Sequence, residues 1–133
     1  MIRSLRPFIG AKNFDVSREF YSEIGFQEVA ISDNLSYFSM QGFGFYLQKA
    51  FVKDWVDNTM LFLEVENLQE FWEKINALDL PQKFSSTRVV PIRKMDWGSE
   101  FFIYDPSGIL WHIGAFEKSK AGDRKSTRLN SSH

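Results

Sequence analysis

What most constrains this chain is an order of patterns that occurs twice: a strand, an amphipathic helix, then three short strands. In the first unit Leu5 to Ala11 is strand-like. Asn13-Phe14-Asp15 offers side chains able to cap a helix that carries Val16, Phe20, Tyr21 and Ile24 at helical spacing, and Gly25 suits the C-cap. Three β-like runs follow, Phe26 to Ile31, Leu35 to Met40 and Phe43 to Gln48, separated by the turn residues Ser32-Asp33-Asn34 and Gln41-Gly42. After a connector, Lys49 to Asn58, read as a loop with Trp55 as its aromatic anchor, the order starts again. Met60 to Val65 sets Leu61, Leu63 and Val65 against Met60, Phe62 and Glu64, the mark of a strand with two different faces. Asn67 and Glu70 have capping-box spacing, ahead of a stripe of Leu68, Phe71, Trp72, Ile75 and Leu78 that Leu80-Pro81 stops. Phe84 to Ile92, Glu100 to Tyr104 and Ile109 to Ala115 supply three more strands.

The last two of these strands flank Asp105-Pro106-Ser107-Gly108, a tight turn in which Pro106 presets the second position. In the closing strand Trp111 and Ile113 share one face, and Leu110, His112 and Gly114 share the other. The duplication is also visible in spacing. Phe8-Ile9 falls on Met60-Leu61, and Asp15-Val16 and Phe20 fall on Asn67-Leu68 and Trp72, each 52 positions on. The expected class is α+β: two βαβββ modules, residues 5–48 and 59–116, each a curved mixed sheet with its helix on the outer face and a trough on the other. Two troughs facing each other would enclose a pocket lined by strands and aromatic residues, which suits small molecules.

Composition limits the function classes. Residues 123–133, DRKSTRLNSSH, have no apolar periodicity and resemble a translated sequencing adapter, with an ordinary disordered basic tail as the alternative, and on either reading they are set aside. Their three cations against one anion account for a shift in formal charge from −1 for the whole chain to −3 for residues 1–122. A mildly acidic body without a Lys/Arg stripe argues against a nucleic-acid surface. Residues 1–122 suit one domain. The absence of cysteine removes disulfides, thiolate metal sites and a thiol nucleophile, and accords with a cytoplasmic location. No apolar run is long enough to span a bilayer, and no signal-peptide core follows Met1, so no membrane partner is expected.

The chain resembles the vicinal oxygen chelate superfamily, the glyoxalase, bleomycin-resistance and extradiol-dioxygenase fold. The residues that carry the likeness are Asp15, Phe20-Tyr21 and Ile24-Gly25-Phe26 in the first unit and Leu63-Glu64-Val65-Glu66-Asn67 in the second. Trp97-Gly98, Phe102, Asp105-Pro106-Ser107-Gly108 and Leu110-Trp111 complete it, so the resemblance spans about residues 5 to 116. It implies a homodimer, leaves open whether the pocket lies within one chain or between two, and places the metal-ligand positions of metal-dependent relatives on Phe8, Tyr46, Met60 and His112. Gln48 is the substitute for Tyr46. A hydrocarbon and a thioether at two of these positions do not suit a first-row cation, so no cofactor and no metal is expected, with a divalent ion as the alternative.

His112 is the sharpest candidate: an imidazole facing a pocket can act as acid or base, or hydrogen-bond a ligand, beside the plainer reading of a histidine satisfied by its neighbours. Tyr46 has the same two readings. Phe8, Met60, Phe62 and Phe102 would wall a trough for a greasy or planar ligand or pack into a dimeric core, and Glu64 and Glu100 are strand carboxylates that could pair or simply meet solvent. Arg88, Arg93 and Lys94 form a modest basic cluster near Trp97 that could meet an anionic ligand, beside the plainer reading of a solvated strand face. The leading expectation is a metal-independent binder of a small molecule, such as a toxic or antibiotic compound, held by Phe8, Tyr46, Gln48, Met60, Phe62, Glu100, Phe102 and His112. The alternative is an enzyme, metal-dependent through His112 with Gln48, Glu64 or Glu100, or metal-free with His112 as general base. A ligand sensor or structural dimer is the third class.

Overall fold

The structure is a computed structural model that describes residues 1–117, so residues 118–133, including the adapter-like segment, lie outside the described part. The first module runs β1 (Phe8–Gly10), α1 (Phe14–Ile24), β2 (Gln27–Ser32), β3 (Leu35–Met40) and β4 (Phe43–Gln48). A short helix α2 (Lys53–Asp57) leads to the second module: β5 (Met60–Glu64), α3 (Leu68–Leu78), α4 (Leu80–Lys83), β6 (Arg88–Met95), β7 (Gly98–Tyr104) and β8 (Leu110–Phe116). The sheets have matching orders, β1-β4-β3-β2 and β5-β8-β7-β6. Each has one parallel pair, β1 with β4 and β5 with β8, and is otherwise antiparallel. The duplicated βαβββ plan is therefore the observed one.

The helices begin where the cap residues place them. The Asn13 side chain accepts the Val16 N–H at 3.2 Å and Asn67 accepts that of Glu70 at 3.0 Å, each such cap contributing about 1 kcal/mol. Gly25 ends α1 at φ 122°, where a side chain would be strained. Two local expectations change. The connector is helical around Trp55, and the residue that anchors it is Val56, 1% exposed, while Trp55 is 67% exposed. Pro81 does not only stop α3: Asp79 turns the chain in the left-handed region, and Pro81 then sits in the first turn of α4.

Register corrects the repeat offset. Phe8 lies opposite Tyr46 across β1 and β4, and Phe62 lies opposite His112 across β5 and β8. The caps Asn13 and Asn67 stand in the same relation, 54 positions apart rather than 52. Phe8 therefore corresponds to Phe62, and Tyr46 to His112.

The troughs do not face each other within the chain. Alternation sends Ile9, Phe45, Leu47, Phe101, Ile103, Trp111 and Ile113 to the helix side of the sheets, and all of these are buried. Those two sides meet in one core, because Tyr21 of α1 packs on Phe45 of its own sheet and on Trp111 of the other, while Phe20 packs edge-on to Phe84. Phe20 and Tyr21 are fully buried, and such burial stabilises by roughly 2–3 kcal/mol for each ring. With the helix-bearing faces turned inward, both troughs open outward.

The junction is fastened by the turn that the sequence singled out. Asp105 is buried, and its Oδ1 accepts the backbone N–H groups of Ser107, Gly108 and Ile109 at 2.8–2.9 Å. Its Oδ2 accepts the Tyr21 hydroxyl at 2.6 Å, and Trp111 Nε1 donates to the same phenol oxygen at 2.9 Å. Burial, together with the charge and hydrogen bond of Asp105, raises the Tyr21 phenol well above its ordinary range. Ser107 Oγ also accepts the Lys12 N–H at 2.8 Å, so one turn of the second module grips the start of α1.

Candidate functional site

The open face of the second sheet carries most of the donors. His112 lies in a row between Phe62 of β5 and Phe102 of β7. The Phe102 ring meets the imidazole edge to face at 4.8 Å, and Phe62 lies at 6.4 Å on the other side. One row along, Glu100 and Glu64 flank Gly114. That glycine is needed for closeness: a Cβ there would come within 2.7 Å of the Phe62 ring and 3.1 Å of Trp97. Phe62 thus lies across the strand, with Trp97 at 5.8 Å and Phe116 at 6.0 Å completing an aromatic floor.

Glu100 is 5% exposed, and its Oε1 lies 3.0 Å from His112 Nδ1. A carboxylate oxygen accepts, so Nδ1–H donates, and the neutral ring then keeps its lone pair on Nε2. Nε2 lies 3.4 Å from Met60 Sδ, and Met60 itself is 65% exposed. The imidazole is therefore oriented from behind by a carboxylate and covered in front by a flexible thioether. At the far side Arg93 and Arg88 lie over the Phe102 and Tyr104 rings at 5.2 and 4.2 Å, and both are exposed, as on a solvated strand face.

The open face of the first sheet holds Phe8, Tyr46 and Gln48. Phe8 stacks on Tyr46 at 4.8 Å, Tyr37 lies 5.4 Å from Tyr46 on the other side, and Gln48 follows opposite Gly10 and Leu35. Arg6 donates to the Tyr46 hydroxyl at 3.0 Å and lies 4.1 Å over the Tyr37 ring. The expected site residues are therefore split: Met60, Phe62, Glu100, Phe102 and His112 share one trough, and Phe8, Tyr46 and Gln48 share the other. Arg6, Tyr37, Trp97 and Phe116 were not foreseen. Alternation would have put Tyr37 beside Tyr46, but only register shows that they pair.

A groove of about 690 Å³ runs along the free edge of β5, between Phe43 and Pro7 of the first module and Met60, Phe62 and Phe71 of the second. It touches neither His112 nor Glu100, so the trough, where the hydrogen-bonding groups converge, is the better candidate site. Metal ligation fits the residues poorly. Among the described residues no group of three or more His, Cys, Asp or Glu side chains comes together, and the positions flanking His112 are aromatic.

This architecture, two four-stranded mixed sheets from a repeated βαβββ unit, is the bleomycin-resistance/glyoxalase fold. Among solved structures, a bleomycin-binding protein from Streptomyces verticillus complexed with copper(II)-bleomycin has TM-score 0.72 at 20% identity, covering 88% of this chain and 100% of its own. The fosfomycin resistance protein FosX from Listeria monocytogenes, complexed with Mn(II) and sulfate, has TM-score 0.68 at 18% identity, covering 93% and 98%. A lactoylglutathione lyase from Agrobacterium tumefaciens has TM-score 0.64 at 14% identity, covering 88% and 100%. At these identities the likeness is one of fold. No protein-family model matches the sequence, and no curated protein matches it. Among the described residues no helix is long and apolar enough to cross a membrane.

Proposed function

We propose that this chain is a metal-independent, small-molecule-binding protein of the glyoxalase/bleomycin-resistance type, a cytoplasmic homodimer that sequesters a partly apolar, toxic or antibiotic compound. The observation that carries this reading is the Phe62–His112–Phe102 row, an aromatic floor with one imidazole oriented by Glu100, where among the described residues no group of three or more His, Cys, Asp or Glu side chains comes together. Dimerisation is supported by the large apolar side chains left on or beside the open faces: Phe8 is 56% exposed, Val29 58%, Met60 65% and Phe62 46%. In a two-fold dimer the trough of one copy would lie over the second-sheet trough of the other, and a ligand between them would meet both halves of the split site. Sequestration then needs only an apolar floor and a few polar groups to orient the ligand.

A second reading is a metal-free enzyme with His112 as general base, favoured by the 3.0 Å contact that orients the imidazole through Glu100. Elemental analysis after incubation with zinc, nickel, manganese and ferrous iron, followed by a thermal-shift screen against aromatic and glycopeptide antibiotics, tests both. The binder reading expects no stoichiometric metal and a ligand-induced rise in melting temperature that His112→Ala reduces. Stoichiometric metal lost in His112→Ala would overturn it. Conversion of a bound compound, abolished in His112→Ala without loss of binding, would establish the enzyme instead.

A further inference from the structure

The open face of the first sheet carries a cation that leans on two of its tyrosines. Arg6 is exposed, precedes β1, and forms no ion pair with a carboxylate among the described residues. A guanidinium placed only by solvent would move freely. This one is held twice, by its hydrogen bond to Tyr46 at 3.0 Å and by the Tyr37 ring 4.1 Å below it. A Cβ at Gly44 would collide with the Phe38 carbonyl oxygen and come within 2.7 Å of the Tyr37 hydroxyl and ring edge, so the glycine that the close strand backbone requires also leaves the room in which the Tyr37 ring lies.

We infer that Arg6, Tyr37 and Tyr46 form an anion subsite, and that the ligand bound over this face carries an acid group, a carboxylate or a phosphonate, on an aromatic or conjugated ring. Tyr46 accepts from Arg6, so its own hydroxyl hydrogen is free to point at the same acceptor as the unused guanidinium N–H groups. Donors from two side chains with no competing carboxylate suit an oxyanion, and the planar fork of Arg6 matches its geometry in a way an ammonium would not. The neighbouring Phe8–Tyr46 stack, with rings 4.8 Å apart and 24° from parallel, presents a flat apolar surface on which a ring attached to that acid can lie. The inference rests on the small-molecule-binding reading above and adds the charge of the ligand to it.

The test uses the full chain with benzoate, phenylphosphonate and the neutral benzamide, by calorimetry and by amide and arginine side-chain NMR. Benzoate or phenylphosphonate should bind about tenfold more tightly than benzamide and shift the resonances of Arg6, Phe8, Tyr37 and Tyr46; the stronger of the two acids identifies the acid class. Arg6→Gln should weaken the acids about tenfold and leave benzamide unchanged, and Arg6→Lys should recover only part of the loss. Added salt should weaken the acids alone. The subsite is overturned if acids and amide bind alike, if no acid binds, or if the shifted resonances lie elsewhere. It is also overturned if Arg6→Gln raises the dimer dissociation constant while acid affinity stays the same, because Arg6 is then an interface residue. If antibiotics from the thermal-shift panel bind and these acids do not, only the subsite fails; if neither set binds, the binder reading fails with it.

Discussion

The two modules share a backbone plan and differ on their open faces. In each, one row crosses the sheet as aromatic, polar ring, aromatic: Phe8, Tyr46 and Tyr37 in the first, Phe62, His112 and Phe102 in the second. Behind the rows the chemistry parts. The phenol of Tyr46 receives a hydrogen bond from the cation Arg6, whereas the imidazole of His112 gives one to the buried carboxylate Glu100. The helix sides of the same strands carry interchangeable apolar residues, because a core asks only for volume and shape. The difference teaches that the two units share the scaffold, while the central ring of each open face has its own polar partner. The first trough is thus marked by a cation-held phenol and the second by a carboxylate-held imidazole with Arg88 and Arg93 at its edge.

The largest expected effect breaks the modules apart. The β3–β4 turn at Gln41-Gly42 is exposed, whereas the equivalent β7–β8 turn buries Asp105 against Tyr21 of the other module. Asp105→Ala would leave three backbone N–H groups and the Tyr21 hydroxyl without their acceptor, at a cost of about 3 kcal/mol or more in stability by urea denaturation. Gln41→Ala should change stability by less than about 0.5 kcal/mol. Equal losses from the two substitutions would mean that the turns are equivalent after all, and that Asp105 does not fasten the junction.

The open-face rows should answer to ligand and not to folding. His112→Ala and Phe62→Ala are expected to weaken whichever compound the thermal-shift screen identifies by about tenfold, an effect of roughly 1.4 kcal/mol. Phe62 is 46% exposed, so its removal should cost the free protein less than about 1.5 kcal/mol. Tyr46→Phe keeps the stack and loses only the hydroxyl, and a loss of about threefold is expected by titration calorimetry. A Phe62→Ala variant that binds normally but unfolds readily would place Phe62 in a core and remove it from the trough.

Strand faces were legible in the sequence because alternation has a period of two, and the offset error of two residues preserved it. Alternation alone puts Phe8, Met60 and Phe62 on the open face, while the equivalent of Phe8 follows only from register, which gives Phe62 and not Met60. The caps Asn13 and Asn67 were legible as local side-chain chemistry. Helix α2, only Lys53–Asp57, was too short to show a 3.6-residue period. The outward opening of the troughs was not legible either. Alternation tells which residues share a face, but which faces meet is decided by long-range contacts such as Tyr21 with Trp111, separated by 90 positions. Arg6 is illegible for a related reason: it lies ahead of β1, and its contacts follow only from Tyr37 and Tyr46 coming together across β3 and β4.

Two carboxylates, one in each module, give the smallest effect and test the comparison by sign. Partial burial pushes Glu28 up, but hydrogen bonds from Arg18 and Ser36, both at 2.6 Å, outweigh it and bring its carboxyl below the ordinary 4.5. Its contribution is therefore present above that value and is lost as pH falls through the folded-state pKa. Burial pushes Asp105 up from the ordinary 3.8, and its hydrogen bonds from Tyr21 and the turn backbone only partly oppose the shift. Its contribution is full below 3.8 and diminishes as pH rises through the folded-state pKa. Arg18 is more than a third exposed, so Glu28→Gln should cost only about 0.5 kcal/mol at neutral pH, a deficit that shrinks in acid. Asp105→Asn removes the opposite titration, so its deficit against the parent should shrink as pH rises. Urea midpoints of the parent and both variants between about pH 3 and pH 7 decide the matter. Deficits that move in the same direction would show that Asp105 is governed by its hydrogen bonds and not by its burial, and the two modules would then hold their carboxylates in the same way.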